Sequence, residues 1–485
     1  MIIGVGYHAR RIYLPFFFRE QSSMNDVRLV CGVDLLSQRE VIDAFLREKG
    51  AQLSMTYVQD EIGDRVTKEN QCILEELIKK QAIDSVIIAT EPLAHFKYAK
   101  WALDHDLNIL MDKPITSEID VSTNEKKAKK ISSDYVYLKQ QYIQKKLQKK
   151  VKTFCLLSQR RFHPAYKLMK KKLDEVRIAT GCPITSIQAS HSDGQWRLPT
   201  EIVEQNYHPY NQGYGKCSHS GYHTLDVISW LVTAQAQGSK RIDSADVYSA
   251  FTRPKDLDAQ LNFADYRRLF SDFDAYNTFT ETEYQKKVKS YGEIDAFSTV
   301  AFKRGEDVLC LASINLIHNG FSQRNWVHTA RRDLYKGNGR IRQEQFLIEQ
   351  GPFQSISLIS YQSNSTGTDS GDELYEIGGE YHLDVHVFRN SNLFPTWKAH
   401  EKFSIAMLME QKMEGYSRGH QEDARRAGIL DFIQSVQMDL PCESDLLVHE
   451  NSTSLLSAMY LSAIAHLKKK NPVITVPIRS VDEYV

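Results

Sequence analysis

Met1-Ile2-Ile3-Gly4-Val5-Gly6-Tyr7-His8-Ala9 carries the pattern G-x-G-x-x-A at Gly4, Gly6 and Ala9. At a strand-to-helix junction the first glycine permits a tight turn. The second lets a pyrophosphate approach the backbone, and a small third residue lets the helix pack closely on the sheet. Free N–H groups of the helix start then face the anion, which brings Tyr7 and His8 into the candidate set. The motif alone is weak, and its surroundings strengthen it. The apolar run Val27–Val33 reads as a buried strand that ends at Asp34. That carboxylate lies 25 residues past Ala9, near the roughly 20 expected for an acid that accepts hydrogen bonds from a ribose diol. It would repel a 2′-phosphate, which favours NAD, with NADP as the alternative. Arg39 is placed either to neutralise such a phosphate or to lie on a solvated helix face. Only three residues precede Gly4, so the first strand is either very short or begins upstream.

Further along, Ser85–Ala89, Asn108–Met111 and Thr153–Leu157 are short, continuously apolar runs of the kind found in buried parallel strands. Helical periodicity fills the gaps over Ala9–Glu20, Ser37–Lys49, Glu69–Gln81 and Leu93–Asp104. Alternation of strand and helix implies a parallel sheet covered on both faces. Such sheets bind ligands at the carboxyl ends of their strands.

The segment Asp84–Glu118, DSVIIATEPLAHFKYAKWALDHDLNILMDKPITSE, resembles the Gfo/Idh/MocA family (glucose–fructose oxidoreductase, inositol dehydrogenase and relatives). The features that carry the resemblance are the turn Thr90-Glu91-Pro92, then His95, then the strand end Asp112-Lys113-Pro114, where the family has Glu-Lys-Pro. Gln159–Leu173 is similar to the family's Arg-Phe-x-Pro crossover, and Gly215–Leu231 to its D-x-G-x-H-x-x-D helix. Gly428–Val436, Ala458–Leu467 and Val473–Pro477 follow its closing helix–helix–strand order. The resemblance implies an α/β chain: an N-terminal Rossmann NAD(P)-binding domain over 1–162, then a C-terminal α+β domain over 163–485 with an open, mainly antiparallel sheet. It also implies that the Thr90–Pro92 turn, His95, Asp112 and Lys113 border the cofactor.

Hydride transfer from an alcohol carbon needs a base for the hydroxyl proton and donors for the developing oxyanion. The resemblance assigns these roles to Lys113 and His223, which must then meet over one nicotinamide ring. Without it, Lys113 would be a loop lysine paired with Asp112. Asp226 lies one helical turn past His223 and either orients the imidazole or pairs on the surface. His219 departs from the pattern, since the family has Asp there. A histidine keeps hydrogen bonding but loses the fixed negative charge. Either Lys113 then carries more of the proton transfer, or the substrate brings its own carboxylate or phosphate. Cys217, His219 and His223 share metal-ligand spacing, but no fourth ligand is evident and no metal is expected. Arg161, Trp196, Arg197 and Tyr210 join His219 and His223 as candidate substrate contacts; Tyr207, His208 and Asn211 lie in the same stretch. Core or lid packing is the alternative for the aromatics.

In the C-terminal half Ile184–Ser190, Ile242–Ala250, Phe297–Lys303, Val308–Ile317 and Phe353–Tyr361 read as longer strands. Two stretches, 252–294 and 328–394, look like insertions. The first is aromatic and acidic, with Phe270, Phe273, Tyr276, Phe279 and Tyr284. The second carries Arg331, Arg332, Lys336, Arg340 and Arg342 around Gly337 and Gly339, either an anion grip or a solvated rim. Asn364–Gly371 has the composition of a flexible loop.

The 485 residues suit two or three domains of roughly 100–200 residues. Lys+Arg and Asp+Glu both total 61, a balance that argues against a general nucleic-acid binder. The lysine runs 126–130 and 145–152 are then solvated helix surface. No apolar run approaches the roughly 20 residues of a membrane span. Seven cysteines at irregular spacing fit free thiols in a reducing, cytoplasmic setting. The expected activity is therefore NAD(P)-linked hydride transfer on a CH–OH of a sugar, cyclitol or nucleotide sugar. A glycosidase-type reaction using NAD transiently and a non-catalytic dinucleotide sensor are the rivals. The resemblance also implies a homo-oligomer, dimer or tetramer.

Overall fold

The computed structural model describes residues 1–20, 27–60, 63–205, 208–327, 339–363, 374–410 and 419–479. The chain divides into two compact units. The first comprises residues 1–117, 131–162 and 421–453, and the second 118–130, 163–420 and 454–485.

Six parallel strands build the first unit: β1 (Ile2–Ile3), β2 (Cys31–Leu35), β3 (Ser54–Val58), β4 (Ser85–Ile88), β5 (Asn108–Met111) and β6 (Phe154–Leu156), in the order β3-β2-β1-β4-β5-β6. Alternate side chains leave opposite faces. Ile3, Val33, Ile88 and Met111 enter one core, while Ile2, Ile87 and Leu110 enter the other. Burial on both faces is why these strands are continuously apolar. β1 pairs on both sides, Ile2 with Gly32 and Ile87.

Three local expectations need correction. The second strand begins at Cys31 rather than Val27. Helix Ala9–Glu20 is two helices, Tyr7–Arg11 and Tyr13–Glu20, broken at Ile12. Pro15 supplies the reason, since it has no N–H to return to the Arg11 carbonyl. The edge strand β3 went unread because its pattern is half-exposed, with only Val58 buried.

The free-thiol expectation also fails for one pair. Cys155, on β6, and Cys442 form a disulfide with Cα atoms 6.4 Å apart, and they are 287 residues apart in sequence. The fold closes that gap by laying 442–445 against β6, with Leu156 N donating to Ser444 O at 2.9 Å. Asp431 adds a carboxylate beside the two sulfurs.

The second unit is a nine-stranded sheet of β7 (Ser186–Ser192), β8 (Ser244–Thr252), β9 (Asp295–Arg304), β10 (Asp307–Ile317), β11 (Ile341–Gln350), β12 (Gln354–Ser363), β13 (Asp384–Arg389), β14 (His400–Ser404) and β15 (Ile474–Pro477). Their order is β14-β13-β12-β11-β7-β10-β9-β8-β15, antiparallel throughout except between β7 and β10. Helix Pro164–Thr180 packs on helix Tyr222–Gln235, which lies against β7.

The stretch 328–394 is therefore not an insertion outside the fold, because it holds β11, β12 and β13. β11 reads poorly because polar residues interrupt it; Glu344 faces inward and accepts from Tyr166 Oη at 2.7 Å. Arg331, Arg332, Lys336, Gly337, Asn364–Gly371 and Tyr207 lie outside the described residues. Residues 252–294 form four short helices, and Phe263, Tyr266, Phe270, Phe273 and Tyr284 make a separate small core with Tyr210 and Leu198. Among the described residues no helix is long and apolar enough to cross a membrane. Lys127 and Lys130 both pair with Glu118 at 2.7 and 2.6 Å.

Candidate active site

The glycine turn closes over the carboxyl end of β1. Gly4 has φ +89°, and a Cβ there would sit 2.7 Å from the backbone of Ala89. Only glycine permits that approach of β1 to β4. Gly6 is the opposite case. Its φ and ψ of −69° and −171° suit any residue, and an added Cβ would meet nothing within 4 Å. Space is kept there that this chain does not fill. Asp34 folds back onto the turn, accepting from Val5 N at 2.5 Å and Leu35 N at 2.7 Å. Burial raises its pKa against those two donors. Tyr7 is exposed, and Ala9 is fully buried. Arg39 lies over the Tyr57 ring at 5.5 Å and pairs with Asp43 at 3.6 Å, so it serves its own helix.

At the ends of β4 and β5 the Thr90 turn and the Lys113 strand end are braced together. His95 is fully buried, with Nδ1 2.6 Å from Pro114 O and Nε2 3.0 Å from Thr90 O. Burial pushes this ring down to about 4 despite the two carbonyls, so it is neutral. His95 thus ties the Thr90 turn to the Pro114 strand end. Lys113, half-buried and followed by a cis peptide to Pro114, lies within electrostatic reach of Glu91, His95 and Asp112. Asp112 accepts from Tyr13 Oη at 2.6 Å and lies 3.7 Å from His8 Nε2. Burial raises it to about 6 even so. Arg161 is buried in this first unit and donates to the Val448 carbonyl at 3.4 Å.

In the second unit a five-residue π-type turn, Cys217–Gly221, leads into the helix Tyr222–Gln235 that carries His223. Such widened turns often re-aim functional side chains. His219 sits in the turn among the rings of His208 (4.4 Å between centroids), Tyr214 (5.2 Å) and Tyr210 (6.0 Å). Asp226 is fully buried, which removes the surface-pair alternative. Trp196 stacks on Tyr266 and Phe270.

Sequence reasoning missed the strongest electrostatic feature of this unit. Asp193 follows β7 and gathers Lys216 Nζ at 2.5 Å, Arg340 Nη2 at 3.1 Å, Ser220 Oγ at 3.2 Å and His318 Nδ1 at 3.5 Å. Burial pushes its carboxyl upward, and Lys216 with its neighbours overrides that, holding it well below the usual range. Lys216 is itself fully buried and also reaches His191 Nδ1 at 2.9 Å. Arg340, expected to grip a ligand or line a rim, is thus committed to Asp193, and Arg342 pairs with Glu344 at 3.2 Å. The one available signal was Lys216 itself, a lysine at the head of an apolar helix.

A six-stranded parallel sheet, a G-x-G-x-x-A turn with space held open at its second glycine, and an acid closing the second strand define a dinucleotide-binding Rossmann unit. Residues 1–139 match the Gfo/Idh/MocA family, described as an oxidoreductase family with an NAD-binding Rossmann fold. The N-terminal 139 residues therefore carry an NAD-binding Rossmann fold similar to that of this oxidoreductase family. Similar solved structures extend over both units. Levoglucosan dehydrogenase, solved with NADH and levoglucosan, is 13% identical over 99% of this chain and 98% of its own, with a TM-score of 0.58. An oxidoreductase domain protein from Kribbella flavida gives 13%, 99%, 98% and 0.57. The WlbA dehydrogenase from Bordetella pertussis, solved with NADH and UDP-GlcNAcA, gives 12%, 99%, 96% and 0.55. At these identities the likeness is one of fold. A comparison with curated proteins finds no match.

Proposed function

We propose that this protein transfers a hydride between NAD and a CH–OH carbon of a sugar, cyclitol or nucleotide sugar. The observation that carries the reading is the open backbone at Gly6, where a Cβ would meet nothing within 4 Å, beside Asp34. The backbone there is free for a pyrophosphate, and the carboxylate stands where a ribose diol would be held. When bound, NAD supplies the hydride acceptor. The chain's own groups supply the proton chemistry and the alignment. Lys113, with Glu91 and Asp112 within electrostatic reach, holds the substrate hydroxyl and takes or returns its proton. His95, neutral and locked between two carbonyls, fixes the strand end that presents Lys113. His223, presented by the widened turn, is the second proton carrier, and Tyr210 and Arg197 help hold the substrate. Neighbours of the same fold solved with levoglucosan and UDP-GlcNAcA support a sugar-like ligand.

The test is reduced nicotinamide appearing with a panel of sugars, cyclitols and nucleotide sugars, offered with NAD and with NADP. Production of NADH that Lys113→Ala abolishes, with NAD binding retained, supports the reading. Product formation without net NADH would favour the transient-NAD glycosidase, and NAD binding with no turnover the sensor.

We also propose a homo-oligomer through the outer face of the nine-stranded sheet. Phe297, Leu311, Leu347 and Phe388 are exposed there on four different strands.

A further inference from the structure

Among the described residues, one buried cation beside the loop after β7 forms no ion pair. At one edge of the nine-stranded sheet the parallel strands β7 and β10 end and β11 begins. The strap 193–198 is laced there to the end of β10: Asp193 N to Ile317 O at 2.9 Å, Gln195 N to His318 O at 3.1 Å, and Arg197 N to Asn319 Oδ1 at 3.1 Å. Two carboxylates in this region are already taken. Asp193 is taken by Lys216 and Arg340, and Glu201 by Arg324 in a two-pronged pair at 2.6 and 2.7 Å. Glu293 is occupied by Cys217 N and Tyr460 Oη, and Asp295 by His318 N; burial raises both carboxyls.

Arg197 is left over. It is 3% exposed. Among the described residues its guanidinium donates to Gln195 Oε1 at 2.7 Å, while Nε and Nη1 have no hydrogen-bond partner. Two more buried polar atoms beside it are in the same condition, the Tyr210 hydroxyl and His318 Nε2. The Tyr210 and His318 rings meet edge-on at 5.4 Å, and both feel the Arg197 charge. A buried guanidinium with idle donors is costly unless an acceptor of opposite charge completes it. Water can accept the N–H bonds but cannot neutralise the cation.

We propose that Arg197 and Tyr210 form a subsite for an oxyanion carried by the substrate, a carboxylate or a phosphate, so that the enzyme acts on an acidic sugar derivative rather than a neutral polyol. A guanidinium fork suits two oxygens of one anion, and the Tyr210 hydroxyl adds a third donor, while His318, whose Nδ1 faces Asp193, offers at Nε2 an acceptor for a proton on the substrate. The subsite borders His219 through Tyr210, at 6.0 Å. His219 stands where the resemblance implies a carboxylate, so no fixed negative charge at that position repels the incoming anion.

The proposal rests on the hydride-transfer reading of the same site, and two readouts separate them. The holoenzyme with NAD is offered matched sets: hexose, hexuronate and hexose phosphate. The expected result is at least tenfold higher kcat/KM for one charged class, with the carboxylate and phosphate arms telling which. Arg197→Gln should collapse that ratio, and Arg197→Lys should restore part of it. Independently of turnover, glucuronate or inorganic phosphate, but not glucose, should raise the melting temperature of wild type and not of Arg197→Gln. Equal kcat/KM for neutral and charged sugars, or a charge preference and thermal shift untouched by both substitutions, overturns the subsite. An anion-dependent thermal shift without any NADH formation keeps the subsite and rejects the hydride-transfer reading. Should Arg197→Gln not fold, the wild-type comparison of glucuronate, phosphate and glucose decides alone.

Discussion

Gly6→Ala separates a glycine kept for the fold from one kept for a ligand. The backbone at Gly6 has φ −69°, so alanine adopts it without strain, and its Cβ meets nothing within 4 Å. Two small effects oppose each other. Alanine lowers the entropy of the unfolded chain, a gain of about 0.4–1 kcal/mol. It is also a poorer residue than glycine at the start of a helix, a loss of about the same size. Without ligand the first unit should therefore keep its stability to within about 0.5 kcal/mol. The Cβ then occupies the space through which a pyrophosphate reaches the backbone, and NAD affinity should fall at least tenfold. At an NAD concentration about 100 times the wild-type Kd, the cofactor stabilises wild type by about 2.7 kcal/mol, and a tenfold weaker variant by only about 1.4 kcal/mol. Urea unfolding with and without NAD, together with calorimetric titration, reads both quantities. Gly4→Ala is the contrast. Its φ of +89° and a 2.7 Å approach to Ala89 predict a loss of roughly 2–4 kcal/mol before any ligand is added. If Gly6→Ala binds NAD as tightly as wild type, or unfolds like Gly4→Ala, the reading of the turn is wrong.

Lys113→Ala should lower kcat by roughly 10²–10⁴ with NAD affinity changed only a few-fold, since the group acts on a proton; steady-state rates and an NAD titration check it. His95 and Asp112 predict opposing pH effects within the first unit. His95 is depressed to about 4 from about 6.5 when unfolded, so its contribution is full above about pH 6.5 and is lost as pH falls toward 4. Asp112 is raised to about 6 from about 4, so its contribution grows over the same fall. Each amounts to about 3 kcal/mol, and they nearly cancel. His95→Gln should therefore gain about 3 kcal/mol on wild type between pH 7 and 4, while Asp112→Asn should lose ground. Parallel urea curves for all three at pH 7 and pH 4 would exclude that coupling. Leu311→Asp, at a position 58% exposed on the sheet, should convert an oligomer to monomer in light scattering; a monomeric wild type would remove the oligomer proposal.

The cofactor unit was legible because its information is local. Its strands are buried on both faces, so β4 and β5 stand out as apolar runs, and the Gly4–Ala9 motif is short because it answers a ligand through the backbone. What stayed hidden there had a physical cause. β3 is a half-exposed edge, Pro15 breaks a helix whose periodicity continues across the break, and the Cys155–Cys442 contact depends on residues 421–453 returning to the first unit. The second unit was less legible. β11 carries inward polar residues such as Glu344 that pair only in the fold. The charge cluster draws on positions 193, 216, 318 and 340, joined by the meeting of three strand ends and a helical turn. No spacing rule connects Asp193 to Arg340 across 147 residues.

Two features of the second unit that look unrelated in the sequence bear on the charge of the substrate. At 219 the chain has a histidine where the resemblance implies a carboxylate. At 197 a buried guanidinium forms no ion pair among the described residues and leaves two of its nitrogens without an acceptor. A substrate oxyanion would complete the idle donors of Arg197, with the Tyr210 hydroxyl beside them. A neutral sugar would leave the guanidinium desolvated and uncompensated in every turnover. The idle donors of Arg197 therefore argue for an oxyanion on the substrate.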